Sequence, residues 1–171
     1  MRNWTLLIIG GALVTGLYAA APQTSGGNKD EQEIRALEER FAVAFRAKDV
    51  PAIMKGYARG SELFVFDVSP PRQYVGFDAY KKDFEDFFAA FPGPVDKFEV
   101  QDLSIVTDSK LAFSHSIQPG IMTAKDGSKF NLVVRVTDAY RKINGKWLIV
   151  HEHLSIPVDL STGKADPTSK P

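Results

Sequence analysis

The apolar period of this chain changes once, at Phe91-Pro92-Gly93-Pro94, and that change restricts the fold more than any other feature. Before it, apolar residues recur at helical spacing; after it, they alternate as strands do. Ile34, Leu37, Phe41, Ala44 and Phe45 predict a helix from Asp30. Asp49 as N-cap with Pro51 in the first turn predicts a short second one, burying Ile53, Met54 and Tyr57. Leu63 to Phe66 reads as a brief strand, and Tyr74-Val75 as another. Gly76 then opens a third helix whose aromatic side is Tyr80, Phe84, Phe87, Phe88 and Phe91.

Beyond Pro94 come four strand-like runs, 97–107, 111–119, 130–143 and 146–157. Asn144-Gly145 between the last two suits a two-residue type I′ hairpin turn. Helices followed by an antiparallel meander predict an α+β fold, a curved sheet wrapped as a cone around about three N-terminal helices, with a cavity at its open end.

Residues 1–21 have the layout of a secretory signal peptide: Arg2, an apolar run from Trp4 to Leu17, then Ala19-Ala20-Ala21. Pro22 disfavours cleavage at that point and leaves an N-terminal membrane anchor as the alternative. Residues 22–29 read as a linker, 30–159 as the domain and 160–171 as a disordered tail, so the expected location is periplasmic or secreted. Lys plus Arg and Asp plus Glu number 21 each, which gives no basic field for nucleic acid. The chain has no Cys, which excludes disulfides and thiolate chemistry.

Three stretches carry a family resemblance. Phe66-Asp67-Val68-Ser69-Pro70-Pro71 with Tyr74-Val75-Gly76, Arg135-Val136-Thr137-Asp138, and Asn144 through Pro157 with its His151-Glu152-His153-Leu154-Ser155 core are similar to SnoaL-like proteins. These belong to the nuclear transport factor 2-like, ketosteroid-isomerase-like superfamily, whose fold is a cystatin-like roll. The closing strand also resembles that of the calcium/calmodulin-dependent kinase association domain. The resemblance implies a small-molecule ligand and a homodimer, and it calls for no cofactor. It also implies that Asp67 stands where steroid isomerases place their catalytic carboxylate. Phe41 and Val134 fall where those enzymes carry an oxyanion-binding tyrosine and acid, so steroid isomerisation is not expected.

Regular pairing from the Asn144-Gly145 turn sets Tyr140 opposite Ile149, Asp138 opposite His151 and Val136 opposite His153. On that register Asp138, Tyr140, Trp147, His151, His153 and Ser155 share the inner face. Arg135, Thr137, Glu152 and Leu154 share the outer one, the expected subunit contact. Asp67, His153, His151 and Asp138 are the candidate catalytic groups. Tyr74, Tyr140, Ser155, Phe84 and Trp147 are the candidate substrate contacts. Each has a structural alternative: Asp67 ties down its turn, and Asp138–His151 is a buried pair. His151 and His153, at i and i+2, match the spacing of metal ligands, but no metal is expected. The leading functional expectation is a small apolar ligand in the cone cavity. Alternatives are an acid–base dehydratase, cyclase or isomerase using Asp67 and His153, and an oligomerisation module.

Overall fold

The structure is a computed structural model that describes residues 29–168. The expected signal segment or anchor and nearly all of the linker lie outside the described residues. Helix α1 (Lys29–Arg46) carries Asp30 and Glu31 in its first turn and Arg46 in its last, matching the helix dipole. It stops where Lys48 takes φ +54°. Asp49 then caps α2 (Val50–Ile53) by accepting from Ala52 N at 2.9 Å.

Two short strands, β1 (Phe64–Phe66) and β2 (Tyr74–Val75), precede α3 (Phe77–Ala90). The sheet continues with β3 (Val95–Phe98), β4 (Gln101–Thr107), β5 (Leu111–Thr123), β6 (Lys129–Ile143) and β7 (Lys146–Ser155). The expected single strand over 97–107 is broken in two beside Pro119. Proline has no N–H to give that edge, and the interrupted chain instead supplies Glu99 N–H to Pro119 O at 3.2 Å. After β7, β8 (Val158–Asp159) and β9 (Lys164–Ala165) pair as a short antiparallel hairpin.

The sheet corrects the expected cone. Its order is β2-β1-β7-β6-β5-β3, with β4 also on β5, and its two edges do not meet. It is mixed, because β1 runs parallel to β7. The central pair gives a physical reason for its not curling closed. β5 and β6 stay in unbroken register from Leu111↔Arg141 to Thr123↔Lys129, without the bulges that bend a sheet.

The register shifts where β3 and β4 meet β5 and again between β6 and β7, and this last bulge reassigns every side chain beyond it. Asn144 and Gly145 both have positive φ, and pairing follows the expected register from Ile143↔Lys146 to Tyr140↔Ile149. Val150 is then the extra residue, so Ala139 pairs with His151, Asp138 with Glu152 and Thr137 with His153. Glu152 and Leu154 therefore turn to the helix side, while His151, His153 and Ser155 turn outward. This reverses the expected faces.

The core lies between the helices and the inner face of the sheet. Its centre is aromatic: Phe45 stacks on Phe98 with centroids 4.1 Å apart and meets Phe88 edge-on at 5.2 Å. The turn from α3 into β3 packs against the end of β5. Gly93 N–H donates to Thr123 O at 3.1 Å, and Lys48 Nζ donates to the carbonyls of Phe91 and Gly93. A Cβ added at Gly93 would lie 2.6 Å from Thr123 Cβ and 2.8 Å from Thr123 O, so backbone would have to move. Gly93→Ala should lower stability by about 1–3 kcal/mol in urea titration. A loss under about 0.3 kcal/mol would show that this contact is soft.

Candidate active site

Three carboxyl groups lie under the helices with no cation beside them. Asp138 on β6 and Glu152 on β7 are direct cross-strand neighbours, 2 % and 5 % exposed; Glu38 comes down from α1 and is 3 % exposed. Among the described residues no Lys, Arg or His is buried. Tyrosine hydroxyls take the place of cations. Tyr57 donates to Glu152 Oε2 at 2.7 Å and Tyr80 to Glu152 Oε1 at 2.5 Å. Tyr140 donates to Glu38 Oε1 at 2.7 Å, and the Ser114 hydroxyl lies 2.8 Å from the Tyr140 oxygen.

Such an environment favours protonated carboxyls, because burial penalises charge and each neighbour adds repulsion. Burial raises Glu152 to about 7 against the lowering pull of its two tyrosine donors. Burial likewise raises Glu38 to about 7, against its bond from Tyr140. Asp138 is pushed well above the ordinary carboxyl range by burial, then by the charges of Glu152 and Glu38. Its Oδ1 is buried without a hydrogen-bond partner. Burial and the facing Glu152 both favour a proton on Asp138. The tyrosines stay neutral, since burial raises Tyr57, Tyr80 and Tyr140 well above the usual phenol value.

Glu152 is also where this cluster meets open space. A cavity of about 90 Å³ lies between α1, α3 and the sheet, with Tyr80 and Glu152 in its lining and the Asp67–Ser69 turn at its rim. Phe41, Phe45, Phe84 and Phe98 form much of its wall. This overturns the expected ligand pocket. The sheet does not close around a cone, and the volume is far below the roughly 300–1,000 Å³ of ordinary small-molecule pockets. It is smaller than the roughly 150 Å³ cavity that holds one benzene.

The expected site residues are dispersed. Asp67 and Phe84 line the cavity; Asp67 Oδ1 accepts from Ser69 N–H at 3.0 Å and Ser69 Oγ at 3.1 Å. Tyr74 stands near the rim, its hydroxyl donating to Asp83 at 2.6 Å. Asp138 and Tyr140 belong to the buried cluster behind Glu152. His151, His153 and Ser155 are on the opposite face of the sheet. There His151 Nδ1 lies 2.8 Å from Phe64 O, and both imidazoles pack on Phe66 with centroids 5.5 Å away. The expected Asp67–His153 pairing across one cavity is therefore not formed. Trp147 lies beside α1, giving its Nε1–H to Asp30 at 3.0 Å. Glu152, Glu38, Tyr57 and Tyr80 were not among the expected site residues. Glu38 had a visible signal: it follows Ile34 by four residues and precedes Phe45 by seven, squarely on the apolar stripe of α1.

Comparison with known proteins agrees with the order of elements. A model of the SnoaL-like domain matches residues 34–159. An NTF2-like protein of Pseudomonas putida KT2440 is 33 % identical, over 83 % of this chain and 96 % of its own, with a TM-score of 0.74. A ketosteroid isomerase-like protein of Erwinia carotovora atroseptica SCRI1043 shares the fold at 21 % identity, over 75 % of this chain and 97 % of its own, with a TM-score of 0.64. So does an NTF-2 like protein of Shewanella oneidensis MR-1, at 18 % identity over 74 % and 98 %, with a TM-score of 0.59. No curated protein matches. With its family model spanning nearly all of the helices and the main sheet, the chain belongs to the SnoaL-like domain family, on an NTF2-like, ketosteroid-isomerase-like fold.

Proposed function

We propose that this protein catalyses proton transfer, with Glu152 as the general base and acid. One observation carries the reading: of the three carboxyls that line the cavity, Asp67, Asp83 and Glu152, it is Glu152 that burial raises to about 7. A base poised near the working pH combines a large ionised fraction with useful basicity. Tyr57 and Tyr80 hold one oxygen each and orient the group. In the forward step Glu152 takes a proton from an acidic C–H of the substrate. Both electrons of that bond remain on the substrate, and the Glu152 carboxyl returns the proton at a neighbouring atom. The cavity admits only the reacting end of a molecule, with the remainder outside the Asp67–Ser69 rim.

The reading replaces the expected Asp67–His153 pair: Asp67 only lines the cavity, and His153 is on the opposite face of the sheet. It is tested by deuterium exchange at carbon, followed by mass spectrometry, over small aldehydes, ketones and their amino-substituted forms. Wild type should accelerate exchange of at least one compound, with a rate that rises through about pH 7. Glu152→Gln should lower that rate about 10²-fold or more. No acceleration by wild type, or equal acceleration by Glu152→Gln, would remove Glu152 as the base.

A further inference from the structure

The cavity lacks a positive charge that its lining calls for. Asp67, Asp83 and Glu152 all border it, and no Lys, Arg or His does. Each of the three carboxyls is met by uncharged donors: Ser69 for Asp67, Tyr74 for Asp83, and Tyr57 and Tyr80 for Glu152. Among the described residues, no ion pair reaches any of them, although nine others form on the surface. Acidic residues alone would not make a site. Here they open on a formed cavity whose walls are aromatic, and ring faces attract cations as carboxylates do. An anion would meet three acidic groups with no cation in the lining to offset them. A neutral group would leave the charges unanswered.

We infer that the cavity takes a small alkylammonium group, its charge among Glu152, Asp67 and Asp83 and its carbons against Phe41, Phe84 and Phe98. The volume of about 90 Å³ limits the bound part to a few heavy atoms. Taken with the proton-transfer reading, on which this consequence rests, the substrate carries a positive charge next to the carbon that gives up its proton. The charge acidifies that carbon and draws the substrate to the base. It also favours the ionised form of Glu152, so binding releases a proton when the pH is below about 7.

The probes are isopropylammonium, 2-propanol and acetate, each of four heavy atoms and differing in charge. They are titrated into the full chain with Met122 and Leu154 methyl signals observed by NMR, since both residues line the cavity. At pH 8 isopropylammonium should bind at least tenfold more tightly than 2-propanol, and acetate should not bind. Its affinity should fall at least tenfold between pH 8 and pH 5.5. Glu152→Gln should lose most of the preference for the cation. Asp67→Asn, a change in an exposed turn, should weaken binding about threefold without altering the fold.

Equal binding of 2-propanol, binding of acetate, or the absence of shifts at Met122 and Leu154 would overturn the inference. Displacement of isopropylammonium by millimolar Mg²⁺ or Ca²⁺ would also overturn it, by assigning the carboxyls to a metal. Failure here and failure of the proton-transfer reading are separable. Loss of the ammonium preference with Glu152-dependent exchange intact removes only the substrate class. Ammonium binding with exchange that survives Glu152→Gln removes only the base.

Discussion

Raising the pH from 5 to 8.5 is expected to destabilise this protein by several kcal/mol, the reverse of the usual behaviour of carboxylates. The sign follows from Glu38 and Glu152. Each moves from an ordinary 4.5 to about 7 on folding, mainly through burial. Between those values the native state holds a proton that the unfolded chain has released, so stability falls as pH rises through the window. The contribution is fully present below 4.5 and lost above about 7. One such group is worth of order 3 kcal/mol, or roughly 10 °C in Tm for a domain of this size. Asp138, raised further by burial and by its two acidic neighbours, acts in the same direction. Exposed carboxylates held low by hydrogen bonds, such as Asp126 by Ser128 and Asp159 by Ser161, act oppositely and only in more acid solution. Maximum stability should therefore lie near pH 5. Glu38→Gln keeps an acceptor for Tyr140, removes one titration of the three and should recover about a third of the loss at pH 8. Urea titrations of both proteins from pH 4.5 to 8.5 decide the matter, and a flat or rising wild-type curve would mean that the cluster is hydrated or otherwise compensated.

How much of this was legible before the structure depends on the scale of the feature. The period change at Pro92-Gly93-Pro94, the Asp49 cap and the Asn144-Gly145 turn are local, and the helices and the last hairpin follow from them. The parallel pairing of β1 with β7 joins residues nearly ninety positions apart (Phe64↔His151) and has no local signature. The bulge at Val150 is the costliest omission. Nothing in Leu148-Ile149-Val150-His151 marks one residue as supernumerary, because all four suit a strand. What selects the bulge is the interior, which receives Glu152 between Tyr57 and Tyr80 and leaves His151 to bond Phe64 O on the far side. Regular alternation predicts a buried imidazole pair; the structure places a carboxyl there instead. The acid–base character expected of this strand thus belongs to a neighbouring residue on the opposite face. Glu38 was readable from its place in the stripe of α1, yet it is informative only once its partners on β6 are known.

Phe45→Ala should give the largest loss of stability among single substitutions in the cavity wall, about 3–5 kcal/mol. Phe45 is 7 % exposed and touches four other rings: it stacks on Phe98 and packs against Phe41, Phe87 and Phe88 at centroid distances of 5.2–6.0 Å. Truncation removes transfer free energy and ring contacts together, and the flanking helix and strand limit how far the gap can collapse. Because Phe45 also lines the cavity, the space vacated should join it, and the enlarged apolar volume should accept benzene as larger engineered cavities do. Benzene should then raise the Tm of Phe45→Ala by several degrees while leaving wild type unchanged, through mass action on the native state. The cluster at Glu38, Asp138 and Glu152 is held by other residues, so the pH dependence of stability should survive the substitution. Urea titration and melting with and without benzene read these effects separately. A loss below about 1 kcal/mol would show that the helices close over the gap. A larger loss without benzene rescue would show that the wall is not continuous with the cavity, and the limit on ligand size would then lie elsewhere than at Phe45.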